Sequence, residues 1–152
     1  MQYRKPEGPV ADEIRAVVEL HGYGLVAFSS EVVHKRMHVH CVLHHPDGVD
    51  LDALAEIHRA LQPRIEILLS DDETPRDVRV EFSSPGLTRR FTSFHEFEVF
   101  LGKDVTVLPE GRNDWVHGTV IAADREHCLL QLEDGAEMRF VPGSIVKAQL
   151  KE

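Results

Sequence analysis

The sequence predicts an α+β fold in two domains, at residues 1–87 and 88–152. In the first half, two helical and three strand patterns occur in the order α-β-β-α-β. Such a set forms a two-layer α/β sandwich, with a three-stranded sheet and two helices. In the second half, five short β-rich runs separated by turn residues predict a small β-barrel. Between the halves, Pro85 and Gly86 end a strand in a turn.

The first domain begins with a helix predicted from Pro9 to about His21. Proline suits the first helical position, and Gly22 supplies a C-terminal stop. Apolar residues recur on one side of this segment at helical spacing: Val10, Ile14, Val17, Val18 and Leu20. The polar residues 1–8 lack an apolar stretch typical of a secretory signal, and we interpret them as a frayed tail.

Two strands are predicted next, from Leu25 to Ser30 and from Lys35 to His44. The second strand alternates in polarity, so one set of side chains should face a core and the other should face water. The core set is Met37, Val39, Cys41 and Leu43. The water-facing set is Arg36, His38, His40, Val42 and His44.

A second helix and a third strand complete the first domain. Asp50 or Asp52 can cap a helix that continues through Leu61, and Pro63 should kink or restart it. A loop is predicted at residues 70–75. The alternation of Val78, Val80 and Phe82 with charged residues predicts a strand from Asp77 to Ser83.

The second domain opens with a short helix and continues in strands. Ser93 and Glu96 have the spacing of a capping box. The predicted strands are Asp104–Leu108, Trp115–Ala123, His127–Leu132, Glu137–Val141 and Ile145–Leu150, with a one-turn helix near Pro142–Ser144. This order is similar to an SH3-like or Sm-like barrel, a fold that supports binding without specifying a ligand.

Composition favours a basic partner. The formal net charge is −9, with 9 basic and 15 acidic residues in positions 1–87 and 8 and 11 in the remainder. Non-specific nucleic-acid binding relies on Lys and Arg, so a basic protein surface is favoured over RNA as the first partner. Cys41 and Cys128 lie in apolar strand patterns and are predicted to be buried, reduced thiols. No apolar run reaches the length of a membrane span.

The sequence offers no catalytic constellation, and its sharpest alternative is a metal site. His34, His38, His40, His44 and His45 fall within 12 residues. Alternate side chains of one strand stand about 6.6 Å apart, which fits poorly with two Zn–N bonds of ~2.0–2.1 Å. A solvated sheet face is therefore favoured over a metal site. We predict no catalytic residue, no metal and no cofactor.

Two arginines and the single tryptophan are further candidates. Arg89 and Arg90 could lie idle on the surface, could pair with Glu96 or Glu98, or could reach an RNA phosphate or a partner carboxylate. Trp115 is interpreted as barrel core or rim. Exposure of Trp115 to solvent would favour RNA stacking or a protein contact.

The segment from Val80 to Phe91 resembles the strand-to-turn signature of the bacterial ribosome maturation factor RimP family. Pro85 and Gly86 would form a type II turn with a positive φ at Gly86. The residues that match the family are Ser83, Ser84, Pro85, Gly86, Leu87 and Arg89. Weaker similarity extends over roughly residues 10–150, through Pro46–Val49, Phe94, Phe97, Leu101, Gly102 and Ile145–Leu150.

The resemblance implies a cytoplasmic, non-enzymatic assembly factor for maturation of the small (30S) ribosomal subunit. It implies as partners the immature subunit, small-subunit ribosomal protein twelve and a contact with rRNA, and it implies neither a membrane nor a small-molecule substrate. The six matching residues are the predicted partner-binding site. The alternative is an RNA-binding regulator that acts through the barrel. A metalloenzyme built on the histidine strand is the third hypothesis.

Overall fold

The computed structural model describes residues 1–69 and 77–152, and the chain forms two compact units. The N-terminal unit comprises Pro6–Pro85, and the C-terminal unit comprises Met1–Lys5 and Gly86–Glu152. The loop predicted at residues 70–75 lies outside the described residues.

The N-terminal unit has the predicted order of elements, which confirms its α+β class. Its elements are α1 (Pro9–Leu20), β1 (Gly24–Val33), β2 (Arg36–His44), α2 (Leu51–Leu69) and β3 (Asp77–Ser83). The first helix starts with Pro9 in its first turn, as predicted. It stops before Gly22, whose φ of 81° is outside the helical region.

The three strands form one sheet in the order β1-β2-β3. β1 runs antiparallel to β2, and β2 runs parallel to β3. β1 is longer than predicted because it continues into a tight turn at His34 and Lys35, where φ is 50° and 64°. Two successive positive φ values belong to the turn that matches the twist of a hairpin. Neither residue is a glycine, so the sequence does not signal this turn.

The core of the unit lies between the sheet and the two helices. The predicted core set of β2 is buried, and it packs with Ile14 and Val18 of α1 and with Ile57 and Leu61 of α2. This confirms the alternation predicted for β2. On the opposite face Arg36 and His40 are exposed, whereas the remaining predicted water-facing residues are half-buried: His38, Val42 and His44.

The second helix is capped as predicted, but it is continuous. Asp50 is the capping residue, since its Oδ1 accepts the backbone N–H of Asp52 at 3.1 Å. The helix runs through Pro63 to Leu69, so the predicted restart at the proline is wrong. Pro63 lies on the exposed side of α2, and so does Arg59, whose carbonyl loses its helical donor. Water can satisfy that carbonyl, which lowers the cost of the proline.

The C-terminal unit is a five-stranded antiparallel sheet with short helical turns. After α3 (Glu96–Val99) come β4 (Asp104–Pro109), β5 (Val116–Ala123), β6 (Cys128–Gln131), β7 (Glu137–Phe140) and β8 (Ile145–Leu150), with a one-turn 3-10 helix at Pro142–Ser144. The strand order is β7-β6-β5-β4-β8. Each predicted strand is present with ends shifted by at most one residue.

Four phenylalanines at the start of the C-terminal unit are buried: Phe91, Phe94, Phe97 and Phe100. Phe91 packs edge-on to Phe97 and stacks on Phe100, with ring centroids 4.9 Å and 5.3 Å apart. Val105, Val120 and Leu130 are also fully buried in this unit.

The first five residues are part of the C-terminal unit, so their interpretation as a frayed tail is wrong. The carbonyl of Gln2 accepts the backbone N–H of Phe94, and the backbone N–H of Arg4 donates to Ser93 Oγ. Arg125 also lies over the Tyr3 ring at 5.3 Å. The two hydrogen bonds join positions about 90 residues apart, and Arg125 and Tyr3 lie still further apart, so local sequence patterns do not reveal these contacts.

Among the described residues, no helix combines the length and the apolar character needed to cross a bilayer.

Candidate partner-binding surface

The predicted site begins at the end of β3. Ser83 is the last residue of this strand, and its Oγ lies 3.0 Å from His40 Nε2 on the neighbouring strand. Ser84 is exposed and Pro85 is half-buried. The contact between Ser83 and His40 therefore connects one predicted site residue with the open face of the sheet.

The turn after Pro85 differs from the one predicted. The backbone N–H of Arg89 donates to the carbonyl of Gly86 at 3.1 Å, so Leu87 and Thr88 occupy the centre of the turn. Gly86 does not adopt a positive φ. The prediction of a type II turn with Gly86 at its third position is wrong, because the turn closes two residues later than proposed. Leu87 is left 73% exposed.

Arg89 belongs to a buried hydrogen-bond cluster with Glu96. Its Nε donates to Glu96 Oε1 at 2.6 Å, and the side chains are 16% and 0% exposed. The other carboxylate oxygen accepts the backbone N–H groups of Thr92 and Ser93 and the Thr92 hydroxyl. Of the three interpretations of Arg89, the pairing with Glu96 is the one observed.

Of the two hydrogen bonds in the capping box predicted for Ser93 and Glu96, only one forms between these two residues. Glu96 accepts the N–H of Ser93, which is the return half of a capping box. Ser93 Oγ instead accepts from His95 and Arg4. Glu96 therefore stabilises both the turn at Thr92 and the start of α3.

The open face of the N-terminal sheet carries charged residues and histidines in rows. Directly opposite positions across the three strands place Glu31, His38 and Arg79 in one row and Ser29, His40 and Glu81 in the next. Two ion pairs cross or follow this face, Arg36–Asp77 at 2.8 Å and Arg79–Glu81 at 3.0 Å. Within residues 1–69 and 77–152, no three potential ligands are grouped in a way that could hold a metal ion.

Side chains of α2 cover the outer edge of β3. His58 Nε2 lies 3.1 Å from the Val80 carbonyl, and Gln62 Nε2 donates to the Val78 carbonyl at 2.6 Å. These contacts satisfy carbonyls that an edge strand would otherwise leave open to another chain.

The two cysteines are free and buried, as predicted. Burial in apolar surroundings raises the pKa of the Cys41 thiol to about 12 and that of the Cys128 thiol to about 12. Both groups are therefore thiols at neutral pH, and a thiol is a poor nucleophile compared with a thiolate.

Sequence reasoning missed a groove in the C-terminal unit. It has a volume of about 200 Å³ and is lined by Arg90, Phe91, Trp115, Val146, Lys147, Ala148 and Gln149. Trp115 is 38% exposed, which places it at the rim. In the sequence, Trp115 and Arg90 are two separate candidates for a partner or RNA contact. Only the pairing of Arg90 with Gln149 in β8 brings them to one place.

Comparison with known proteins places the chain in a family. A family model described as the RimP N-terminal domain matches residues 13–88, half of the chain. The ribosome maturation factor RimP of Borrelia recurrentis (strain A1) is 24% identical over 141 residues, which cover 93% of each chain. Those of Borrelia turicatae (strain 91E135) and Borrelia hermsii (strain HS1 / DAH) are 22% and 26% identical, over 90% and 74% of this chain and 90% and 73% of theirs. The chain therefore belongs to the RimP family.

Proposed function

We propose that the protein is a non-enzymatic, cytoplasmic assembly factor for maturation of the small (30S) ribosomal subunit. The observation that carries the proposal is the agreement between the role for which its relatives are named, ribosome maturation, and its own charge. The net charge is −9, and acidic residues exceed basic ones in both halves of the chain. An acidic surface is complementary to a strongly basic client.

The client that we propose is small-subunit ribosomal protein twelve, presented on or delivered to the immature subunit. Electrostatic complementarity would steer this encounter. Release would follow when rRNA covers the basic surface of the client and competes for the same charges. The proposed complex should therefore weaken as salt increases.

We further propose that the functional domains are residues 1–87 and 88–152, the second with an SH3-like or Sm-like arrangement. Five short antiparallel strands with a one-turn helix before the last strand support this arrangement.

The proposed partner-binding residues are Ser83, Ser84, Pro85, Gly86, Leu87 and Arg89. Leu87 is the strongest of them, because it offers a large exposed apolar side chain. Arg89 is held by Glu96, so we expect it to act by fixing the turn at Gly86 rather than by direct contact.

A pull-down from lysate tests the proposal. We expect a tagged chain to retain a basic small-subunit protein after RNase treatment, and we expect cells without the gene to accumulate immature small subunits. Leu87→Asp should abolish retention, whereas Leu20→Asp, on the exposed side of α1, should not. The proposal fails if gene deletion leaves subunit maturation unchanged and the purified protein has no affinity for immature subunits.

The second candidate is an RNA-binding regulator that acts through the C-terminal unit. The half-exposed Trp115 in a groove with two cationic residues favours it. Complete loss of the ribosomal proteins on RNase treatment would support this candidate over a protein client.

A further inference from the structure

We propose that the groove at β8 binds single-stranded RNA, with a base stacked on Trp115 and a phosphate near Arg90 and Lys147. This deepens the proposed function by assigning a nucleic-acid contact to particular residues, and it rests on that function for the source of the RNA. The groove lies entirely within the C-terminal unit.

Strand pairing places the two cations on one face. Arg90 is opposite Gln149, and Phe91 N–H donates to the Ala148 carbonyl at 2.8 Å, so residues 89–91 extend the sheet beside β8. Lys147 is two residues from Gln149 and shares its face, because side chains alternate along a strand. Arg90 and Lys147 are thus diagonal neighbours, a relation that typically spans ~7–8 Å.

Trp115 also lies near Lys147, on the side of β4 that is opposite to β8. Lys147 is opposite Leu108 of β4, and the pairing of β4 with β5 starts at Val107 and Val116. Continuing that register by one residue places Trp115 beside Leu108. Trp115 and Lys147 therefore flank the same row of the sheet.

The charges around the groove favour an anion. Both cations are exposed, and neither makes an ion pair with any of the described residues. The nearest carboxylate in sequence, Asp114, is already paired with Arg112 at 3.0 Å. Hydrogen bonds from Arg112 keep the pKa of Asp114 below its usual value. Asp114 therefore stays ionised, and the positive charge of Arg112 offsets its negative charge.

The size and floor of the groove favour a flat group. About 200 Å³ is less than the ~300–1,000 Å³ of sites for drug-sized ligands. Phe91 forms part of the lining and is fixed by stacking on Phe100. A nucleobase stacked on an aromatic ring with a cation at its phosphate is the usual mode of single-strand binding. An acidic peptide would use the cations but would gain little from the indole.

Fluorescence of Trp115, the single tryptophan, reports directly on the site. We expect an oligouridylate of about eight nucleotides to quench it saturably. Oligoglutamate of equal charge should not quench it, and duplex RNA should bind more weakly because its bases are already stacked.

Affinities of variants are measured by anisotropy of labelled oligouridylate. Trp115→Ala should weaken binding about 5- to 150-fold, and Trp115→Phe should weaken it less. Lys147→Gln and Arg90→Gln should each lower the slope of log K against log salt by about 0.7. Arg59→Gln, an exposed charge on α2, is the matched control and should leave the slope unchanged.

Three results would overturn the inference: no binding of the oligouridylate, binding that Lys147→Gln and Trp115→Ala leave unchanged, or equal quenching by oligoglutamate, which would assign the groove to an acidic protein. These measurements use purified components. Their failure is therefore separate from failure of the deletion and pull-down experiments.

Discussion

At the scale of single residues, one side chain held by many hydrogen bonds is a buried carboxylate. Glu96 is fully buried and accepts hydrogen bonds from Arg89, Thr92 and Ser93. A charge out of water is tolerated only when it is paired and hydrogen-bonded. Here the two carboxylate oxygens of Glu96 accept from three donors of Thr92 and Ser93 and from the guanidinium of Arg89. The residue thus orders the chain between the turn at Gly86 and α3.

Removal of this carboxylate should be costly. Glu96→Ala leaves the mostly buried Arg89 without its partner, and breaking such a pair typically costs about 3–5 kcal/mol. We expect a decrease of about 3 kcal/mol in the free energy of unfolding, measured by urea denaturation. Glu133→Ala removes an exposed acid of the same unit and should stay within about 0.5 kcal/mol. Equal effects of the two changes would contradict the structural role of Glu96.

Two glycines should respond differently to a methyl group. A Cβ at Gly118 would lie 2.9 Å from the Gln131 carbonyl oxygen, whereas a Cβ at Gly86 would meet nothing within 4 Å. Gly118→Ala should destabilise the protein by about 1–3 kcal/mol through crowding of β5 against β6. Gly86→Ala should change the free energy of unfolding by less than about 0.5 kcal/mol. A large loss with Gly86→Ala would show that the glycine is needed in the fold.

At the scale of elements, side chains form hydrogen bonds with backbone groups that have no backbone partner in strands and turns. Gln62 and His58 of α2 satisfy carbonyls on the outer edge of β3. In the turn between β5 and β6, Asp124 accepts the backbone N–H groups of Glu126 and His127 at 2.8 Å and 2.9 Å. Two hydrogen bonds from backbone N–H groups to a carboxylate stabilise its charged form.

The turn at Asp124 should make stability pH-dependent in acid. Backbone hydrogen bonds, first from His127 and then from Glu126, lower the pKa of Asp124 below its usual value. A lowered folded-state pKa contributes stability above the unfolded value, and this contribution is lost as pH falls through the folded pKa. The difference in urea midpoint between the wild-type chain and Asp124→Asn should therefore shrink as pH falls from about 5 to about 2. A difference that stays constant over this range would contradict the assignment.

Local patterns predicted elements well, because their causes are local. Pro9 and Gly22 bound α1, the alternation of Met37 to Leu43 identifies the buried face of β2, and Ser93 with Glu96 marks the short helix. The docking of residues 1–5 depends on partners distant in sequence, Ser93 and Phe94. The groove at Trp115 depends likewise on the pairing of residues 89–91 with β8. The six partner-binding residues remain predictions.

At the scale of the whole molecule, each unit has its own core and one buried thiol. Cys41 lies in the N-terminal unit and Cys128 in the C-terminal unit. Since thiol reagents attack the thiolate and need access, neither cysteine should react in the native state. Labelling in urea therefore reports on the opening of each core separately.

A core truncation in one unit should affect only the thiol of that unit. Leu61→Ala removes a fully buried side chain of α2 and typically costs about 2–5 kcal/mol. We expect the urea midpoint for labelling of Cys41 to fall while that of Cys128 stays unchanged. Leu130→Ala should produce the reverse pattern. If both midpoints move together in either variant, the two units unfold as a single cooperative body.

The placement of residues 1–5 has a consequence for the timing of folding during synthesis. Domains usually fold as they emerge from the ribosome, beginning with the N-terminal one. Here the backbone N–H of Arg4 donates to the side chain of Ser93, which lies 89 positions later in the sequence. Residues 1–5 can therefore dock only after Ser93 has been synthesised, and by then Pro6–Pro85, which forms a compact unit of its own, is already complete.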